Sequence, residues 1–265
     1  MGDPHPLLSL TTLPARIYGA RMLRVTRHGF REMLIGSVAL LLTAFILGYF
    51  SYWWLALLLL PVLVWLFAFF RDPERVVPDE QHAMVSPADG TVSDVSEVEN
   101  DPLLGGPAVR VGIFLSVFNV HVNRSPCDGK VVKTIYKEGK FLNAMGHAKA
   151  SEQNESNTVV LAEPKGDRPI VVVKQIVGLI ARRIIFTAKD GDVLQRGQRI
   201  GMIKFGSRTE LYVAKWLDPT VKVRVGQKVR GASDVLVVLG KPIHTETKVV
   251  DDEELEPLAP RGTPA

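Results

Sequence analysis

The chain has 265 residues, 46% of them hydrophobic, and a formal net charge of +4. That length holds one large or two modest domains, and a lone cysteine, Cys127, excludes an intrachain disulfide and a CxxC metal knuckle. The basic balance comes without a nucleic-acid-binding motif and without aromatics interleaved among the basic residues outside the apolar region, so no nucleic-acid partner is expected.

Residues 1–32 read as a basic arm, with Arg16, Arg21, Arg24, Arg27 and Arg31 among scattered prolines. It is too long and too charged for a cleavable signal, and no A-x-A site follows. Residues 33–70 then run for 38 positions without a charge, nearly two membrane spans of about 20 residues. Gly48, Tyr49, Ser51, Tyr52, Trp53 and Trp54 at the middle suit a reversal at an aromatic interface. Two helices near 34–50 and 54–70 are predicted, forming a membrane hairpin. Arginines precede the run, and Arg71 and Arg75 follow it. By the positive-inside bias both ends lie in the cytoplasm, placing the remaining chain on the cytoplasmic side of the cell (inner) membrane.

From 71 to 240 short β-branched runs alternate with Gly, Pro and Asp turns, which predicts a mainly β domain. Strands are expected at 90–92, 109–118, 130–136, 158–162, 170–177, 199–205, 209–213, 221–225 and 235–239. Residues 140–154 read as a loop with a short helix. The stretches at 86–95, 191–203 and 223–240 repeat a design of glycine-pinned hairpins and are similar to the barrel-sandwich of biotinyl and lipoyl domains. No lysine lies in the M-K-M or D-K-A setting that a carrier domain needs. Cys127 reads as a buried strand cysteine. Residues 241–265 form an acidic tail expected to be disordered.

The segment GMIKFGSRTELYV (201–213) carries a Gly206-Ser207 pair after a short apolar strand. Glycine permits strained backbone geometry and leaves its carbonyl open. The next hydroxyl can attack that carbonyl, moving the acyl group from nitrogen to oxygen; elimination and hydrolysis then leave a pyruvoyl group and ammonia. A Gly-Ser pair alone has no specificity, since Gly36-Ser37 is another copy. The context is what makes it specific. FFRDPER (69–75), SPADG (86–90), FNVHVNRSPCDG (118–129), KFLNA (140–144), NESN (154–157), VGLIARRI (177–184), GQRIGMIKFGSR (197–208) and VGQKVRGASDVL (225–236) occur in order. Over about residues 69–240 the chain resembles the phosphatidylserine decarboxylase proenzymes in their short bacterial and archaeal-like form.

The resemblance implies self-cleavage between Gly206 and Ser207, a covalent pyruvoyl cofactor derived from Ser207, and an Asp-His-Ser arrangement. His121 is the matching base and Asp89 the matching carboxylate, to orient the imidazole. Bland readings stand beside these: Asp before Gly as a turn residue, and a structural strand histidine. Longer relatives carry H-x-x-H before the Pro-Cys pair. Here Arg124 fills the second position, so His121 serves both steps or another group, such as His147, protonates the product.

The implied substrate is phosphatidylserine in the membrane, whose amine condenses with the pyruvoyl carbonyl, an electron sink of the kind pyridoxal phosphate supplies elsewhere. Arg182, Arg183 and Lys204 are candidates for its anionic head group, although consecutive strand arginines face opposite ways. No metal site is expected, because the six histidines form no ligand cluster. Cleavage would give chains 1–206 and 207–265 held as a heterodimer, with a higher oligomer open. Competing readings are a non-catalytic, membrane-tethered barrel-sandwich adaptor or carrier, and a pyruvoyl decarboxylase of a soluble amino acid.

Overall fold

The computed structural model describes residues 24–142, 151–179, 183–204 and 206–243. The arm up to residue 23 and the tail from 244 lie outside them, as does most of the 140–154 loop. Helix α1 (Phe30–Tyr49) is followed by a reversal at Ser51, whose φ is 65°. A second apolar stretch contains α2 (Trp53–Ala56), a single 3₁₀ turn and α3 (Leu60–Phe69). Pro61 falls in the first turn of α3, where its missing N–H costs nothing.

α1 starts four residues before the expected boundary of 34. The uncharged run marks only the apolar part, and Arg31 and Glu32 are absorbed into the first turn, where an acidic side chain suits the helix dipole. The segment Arg27–Tyr49 is long and apolar enough to cross a membrane, while Trp53–Phe69 is shorter. Gly36 lets the two helices close, since a Cβ there would stand 2.7 Å from Leu66 Cδ2. The two ends of the hairpin meet: Thr26 N–H donates to the Phe70 carbonyl at 2.8 Å and Asp72 N–H to the Arg24 carbonyl at 2.7 Å.

Beyond the hairpin the fold is mainly β, as expected. A curled eight-stranded sheet runs β13 (Lys228–Val229), β2 (Gly90–Asp101), β3 (Gly106–Leu115), β11 (Ser207–Ala214), β7 (Pro169–Val177), β6 (Ser156–Ala162), β5 (Gly129–Lys137), β9 (Val193–Leu194). Two three-stranded sheets complete it. One is β1 (Ala83–Val85), β14 (Val235–Leu239) and β12 (Pro219–Val221); the other is β4 (Val122–Arg124), β10 (Arg199–Lys204) and β8 (Arg183–Phe186). The core between the layers is Val, Ile and Leu from alternating positions, including Val111, Ile113, Val173 and Leu211.

The glycine-pinned repeat is physical. In Gln195–Gln198 and again in Arg224–Gln227, a glycine at the third position has positive φ (81° at Gly197, 86° at Gly226). The fourth residue, Gln198 or Gln227, donates its N–H to the first carbonyl, and its side-chain oxygen accepts from the first N–H. Only glycine takes that third position without strain. The SPADG and SPCDG turns match too. Ser86 and Ser125 hydroxyls donate to the carbonyls of Ala88 and Cys127, while Asp89 and Asp128 accept from the N–H groups of Gly231 and Arg196.

Two strand expectations shorten. The run 109–118 ends at Leu115 because Asn119 Oδ1 accepts from both the N–H and the hydroxyl of Ser116, closing a turn. Of 221–225 only Val221 is strand, the rest entering the Arg224–Gln227 turn. Cys127 is buried, as expected, but in the SPCDG turn rather than a strand, and burial pushes its thiol pKa up.

Candidate active site

Ser207 opens β11, the strand between β3 and β7, with Leu115 and Val177 opposite it. Its Oγ is buried and, among the described residues, has no hydrogen-bond partner. Leaving a buried hydroxyl unpaired costs about 1–3 kcal/mol. Gly206 before it has φ +59°, a left-handed conformation that a side chain would strain.

The turn Ser116–Asn119 carries the chain into β4 and presents His121 to the N–H of Gly206. His121 Nε2 accepts from the Gly206 N–H at 3.2 Å, and Nδ1–H donates to the Asn119 carbonyl at 2.9 Å. Together these contacts assign the Nδ1–H tautomer and engage the Nε2 lone pair with the N–H of Gly206, one residue before Ser207. The imidazole is fully buried, and burial, assisted by the nearby Arg71 charge, lowers its pKa to about 4. It is therefore an uncharged base at neutral pH.

Part of that burial comes from the apolar helical hairpin. The Phe69 ring, last in α3, lies 4.3 Å from the imidazole, centroid to centroid. Just beyond it, Arg71 donates to the Phe118 carbonyl at 2.6 Å. Phe69, Phe70 and Met33 pack with Met202 of β10. The FFRDPER stretch straps the hairpin to the site.

Asp89 is placed differently from the expectation. Its carboxylate is buried, with Oδ2 accepting from Arg75 at 2.6 Å and Oδ1 from the Gly231 N–H at 2.8 Å. Burial raises its pKa, with Arg75 opposing the rise. The hydrogen bond orienting His121 comes from the Asn119 carbonyl, so Asp89 and His121 are not brought into a hydrogen-bonded pair. The physical reason is the turn itself: Asp89 answers its partner hairpin as Asp128 does in the repeat. Arg124, at the H-x-x-H departure, is a buried strut, donating to Asp72 at 2.9 Å and to the carbonyls of Pro73 and Gly197. Asp72 also receives Arg199 at 2.6 Å.

Sequence reasoning missed two buried networks flanking Ser207. On its own face of β11, Thr209 Oγ1 accepts from Asn123, whose Oδ1 accepts from Gln175, whose Oε1 accepts from Asn157. On the opposite face the fully buried Arg208 binds Glu210 (2.8 Å), Ser93 (2.6 Å) and Asp94 (2.5 Å). Glu210 in turn accepts from Ser151 and Tyr212. Gly112 leaves the space: a Cβ there would lie 2.2 Å from Arg208 Nη2. The local signal was two charged residues, Arg208 and Glu210, on one face of a short buried strand.

Of the head-group candidates, Lys204 is buried and pairs with Glu32 of α1 at 2.5 Å. Arg183 is exposed on β8, directly opposite Lys204 in register. Arg182 and His147 lie outside the described residues.

On this mainly β scaffold a buried serine hydroxyl, with no hydrogen-bond partner among the described residues, follows a left-handed glycine whose N–H is held by a neutral imidazole. The phosphatidylserine decarboxylase family profile matches residues 63–237. Curated relatives are named phosphatidylserine decarboxylase proenzyme. That of Carboxydothermus hydrogenoformans is 47% identical over 72% of this chain and 87% of its own length. Those of Erythrobacter litoralis (45%; 81% and 87%) and Cupriavidus pinatubonensis (42%; 90% and 98%) are similar. The chain belongs to the phosphatidylserine decarboxylase family, and it is a decarboxylase of phospholipid metabolism made as a proenzyme.

Proposed function

We propose that the chain cuts itself between Gly206 and Ser207, converts Ser207 to a pyruvoyl group and decarboxylates phosphatidylserine to phosphatidylethanolamine at the membrane. The observation that carries this is the Ser207 hydroxyl, buried with no partner among the described residues, next to the glycine whose N–H His121 Nε2 accepts. His121 Nε2 takes the hydroxyl proton as Oγ attacks the Gly206 carbonyl carbon. The Gly206–Ser207 C–N bond breaks, nitrogen takes a proton, and an ester remains. Loss of the Ser207 α-proton expels the Gly206 carboxylate and leaves dehydroalanine; one water then replaces the nitrogen as ammonia. Arg208 and Thr209, locked on opposite faces of β11, hold residue 207 in register throughout.

When formed, the pyruvoyl group supplies a carbonyl for the substrate amine and an electron sink for decarboxylation. Around it the chain's own residues exclude water through Phe69 and the β3–β11–β7 sheet, and His121 is the group placed to hold a proton. The new chain 207–265 keeps β11 between β3 and β7 of chain 1–206 from Ser207 to Val213, and adds β12, β13 and β14. That pairing supports a persistent heterodimer.

The exposed apolar surface of α1 supports anchoring in the bilayer. Because the hairpin ends meet at residues 24–26 and 70–72, both face the β domain. The cytoplasmic side rests on the N-terminal arginines, since Arg71 and Arg75 have partners within the fold. The test is carbon dioxide release from phosphatidylserine vesicles. Wild-type protein should release it and lose activity after borohydride reduction, and Ser207→Ala should release none. Borohydride-resistant turnover would contradict the reading.

A further inference from the structure

The foot of the membrane hairpin presents an ion pair that the self-cleavage chemistry does not use. Lys204, two residues before Gly206, is almost wholly buried, yet among the described residues its ammonium meets only one carboxylate oxygen, Glu32 Oε1 at 2.5 Å. The other oxygen, Oε2, is buried and has no hydrogen-bond partner among the described residues. Glu32 therefore fits this place imperfectly, bearing the desolvation cost of a half-satisfied anion. Arg183 faces Lys204 across the β8–β10 register, on the same sheet face, and is exposed. A third group, the Phe70 ring, lies 5.9 Å from the Lys204 ammonium. The place is in the first turn of α1, where the apolar helix begins.

We propose that Lys204 and Arg183 form the subsite for the phosphodiester of the lipid head group, and that Glu32 is an internal anion occupying it until substrate arrives. A phosphodiester carries oxygens enough to meet both cations, which Glu32 does not do, and in leaving, Glu32 swings toward solvent on its already part-exposed side. The exchange trades one ion pair for another, so no unpaired ammonium is left in the apolar foot of the hairpin. This rests on the proposed phospholipid substrate, and binding measured apart from turnover separates the two.

The experiment uses full-length protein in detergent carrying Ser207→Ala, titrated calorimetrically with glycerophosphoserine, a water-soluble phosphodiester, and with inorganic phosphate. Adding Glu32→Gln should tighten glycerophosphoserine binding about three- to fivefold, the weight of a part-exposed ion pair. Adding Lys204→Met should abolish binding, Lys204→Arg should restore most of it, and phosphate should compete weakly. Unchanged or weaker affinity in Glu32→Gln, or full affinity in folded Lys204→Met, would overturn the assignment. Failure of wild-type protein to decarboxylate phosphatidylserine would instead remove the functional reading and leave this binding result standing.

Discussion

At Ser207 the hydroxyl is buried with no hydrogen-bond partner among the described residues, while the nearby imidazole has given up charge. His121 is neutral because burial lowers its pKa from 6.5 to about 4. The sign of the linkage follows. Stability contributed by the neutral ring is complete above the unfolded pKa of 6.5 and is lost as pH falls through the folded value of about 4. The self-cleavage rate should accordingly stay flat down to about pH 5, where a histidine of ordinary pKa would already be mostly protonated. A rate midpoint near the ordinary value, followed by rapid quench and gel analysis, would show that the buried ring is not the base. Phe69→Ala should move the midpoint upward, because removing the ring opens the imidazole to water; it should also cost about 3–5 kcal/mol of stability. His121→Ala should abolish cleavage. Asp89→Ala should slow it indirectly, by leaving Arg75 and the Gly231 N–H without their carboxylate.

Among the elements, β11 shows what a sequence can and cannot reveal. Its apolar alternation at 209–213 was legible, and so were the repeated hairpins, because Gly197 and Gly226 stand in the same turn chemistry. The apolar helix pair was legible from the absence of charge. Strands β1, β4, β8, β9 and β13 were not, since two to four residues are too few to establish a period of two. Nor was the partner of Asp89: DG reads as a turn, and that Arg75 reaches it depends on how the hairpin docks. The Arg208 network was hidden for a similar reason, as Asp94, Ser93 and Gly112 are remote in sequence. Gly112→Ala drives a methyl into the Arg208–Asp94 bridge. Breaking a buried pair costs about 3–5 kcal/mol, so thermal unfolding of the Ser207→Ala background should show a large loss. An unchanged midpoint would mean the bridge is dispensable to β11.

At the scale of the whole molecule, hairpin and β domain form one working unit, because Phe69 covers His121 and Phe70 packs with Met202. A chain beginning at Asp72 should therefore lose turnover of vesicle-embedded substrate and also self-cleave more slowly than the full chain. Equal cleavage rates would confine the hairpin to anchoring. Extracting a lipid instead costs about 0.8 kcal/mol per methylene, which favours an enzyme working at the surface. The central claim concerns covalent state, and denaturing mass spectrometry of active protein tests it most directly. The account requires two chains, 1–206 and 207–265, the second lighter than its encoded sequence by one ammonia and blocked at its amino end. A single uncut chain of 265 residues in protein that decarboxylates phosphatidylserine would contradict it.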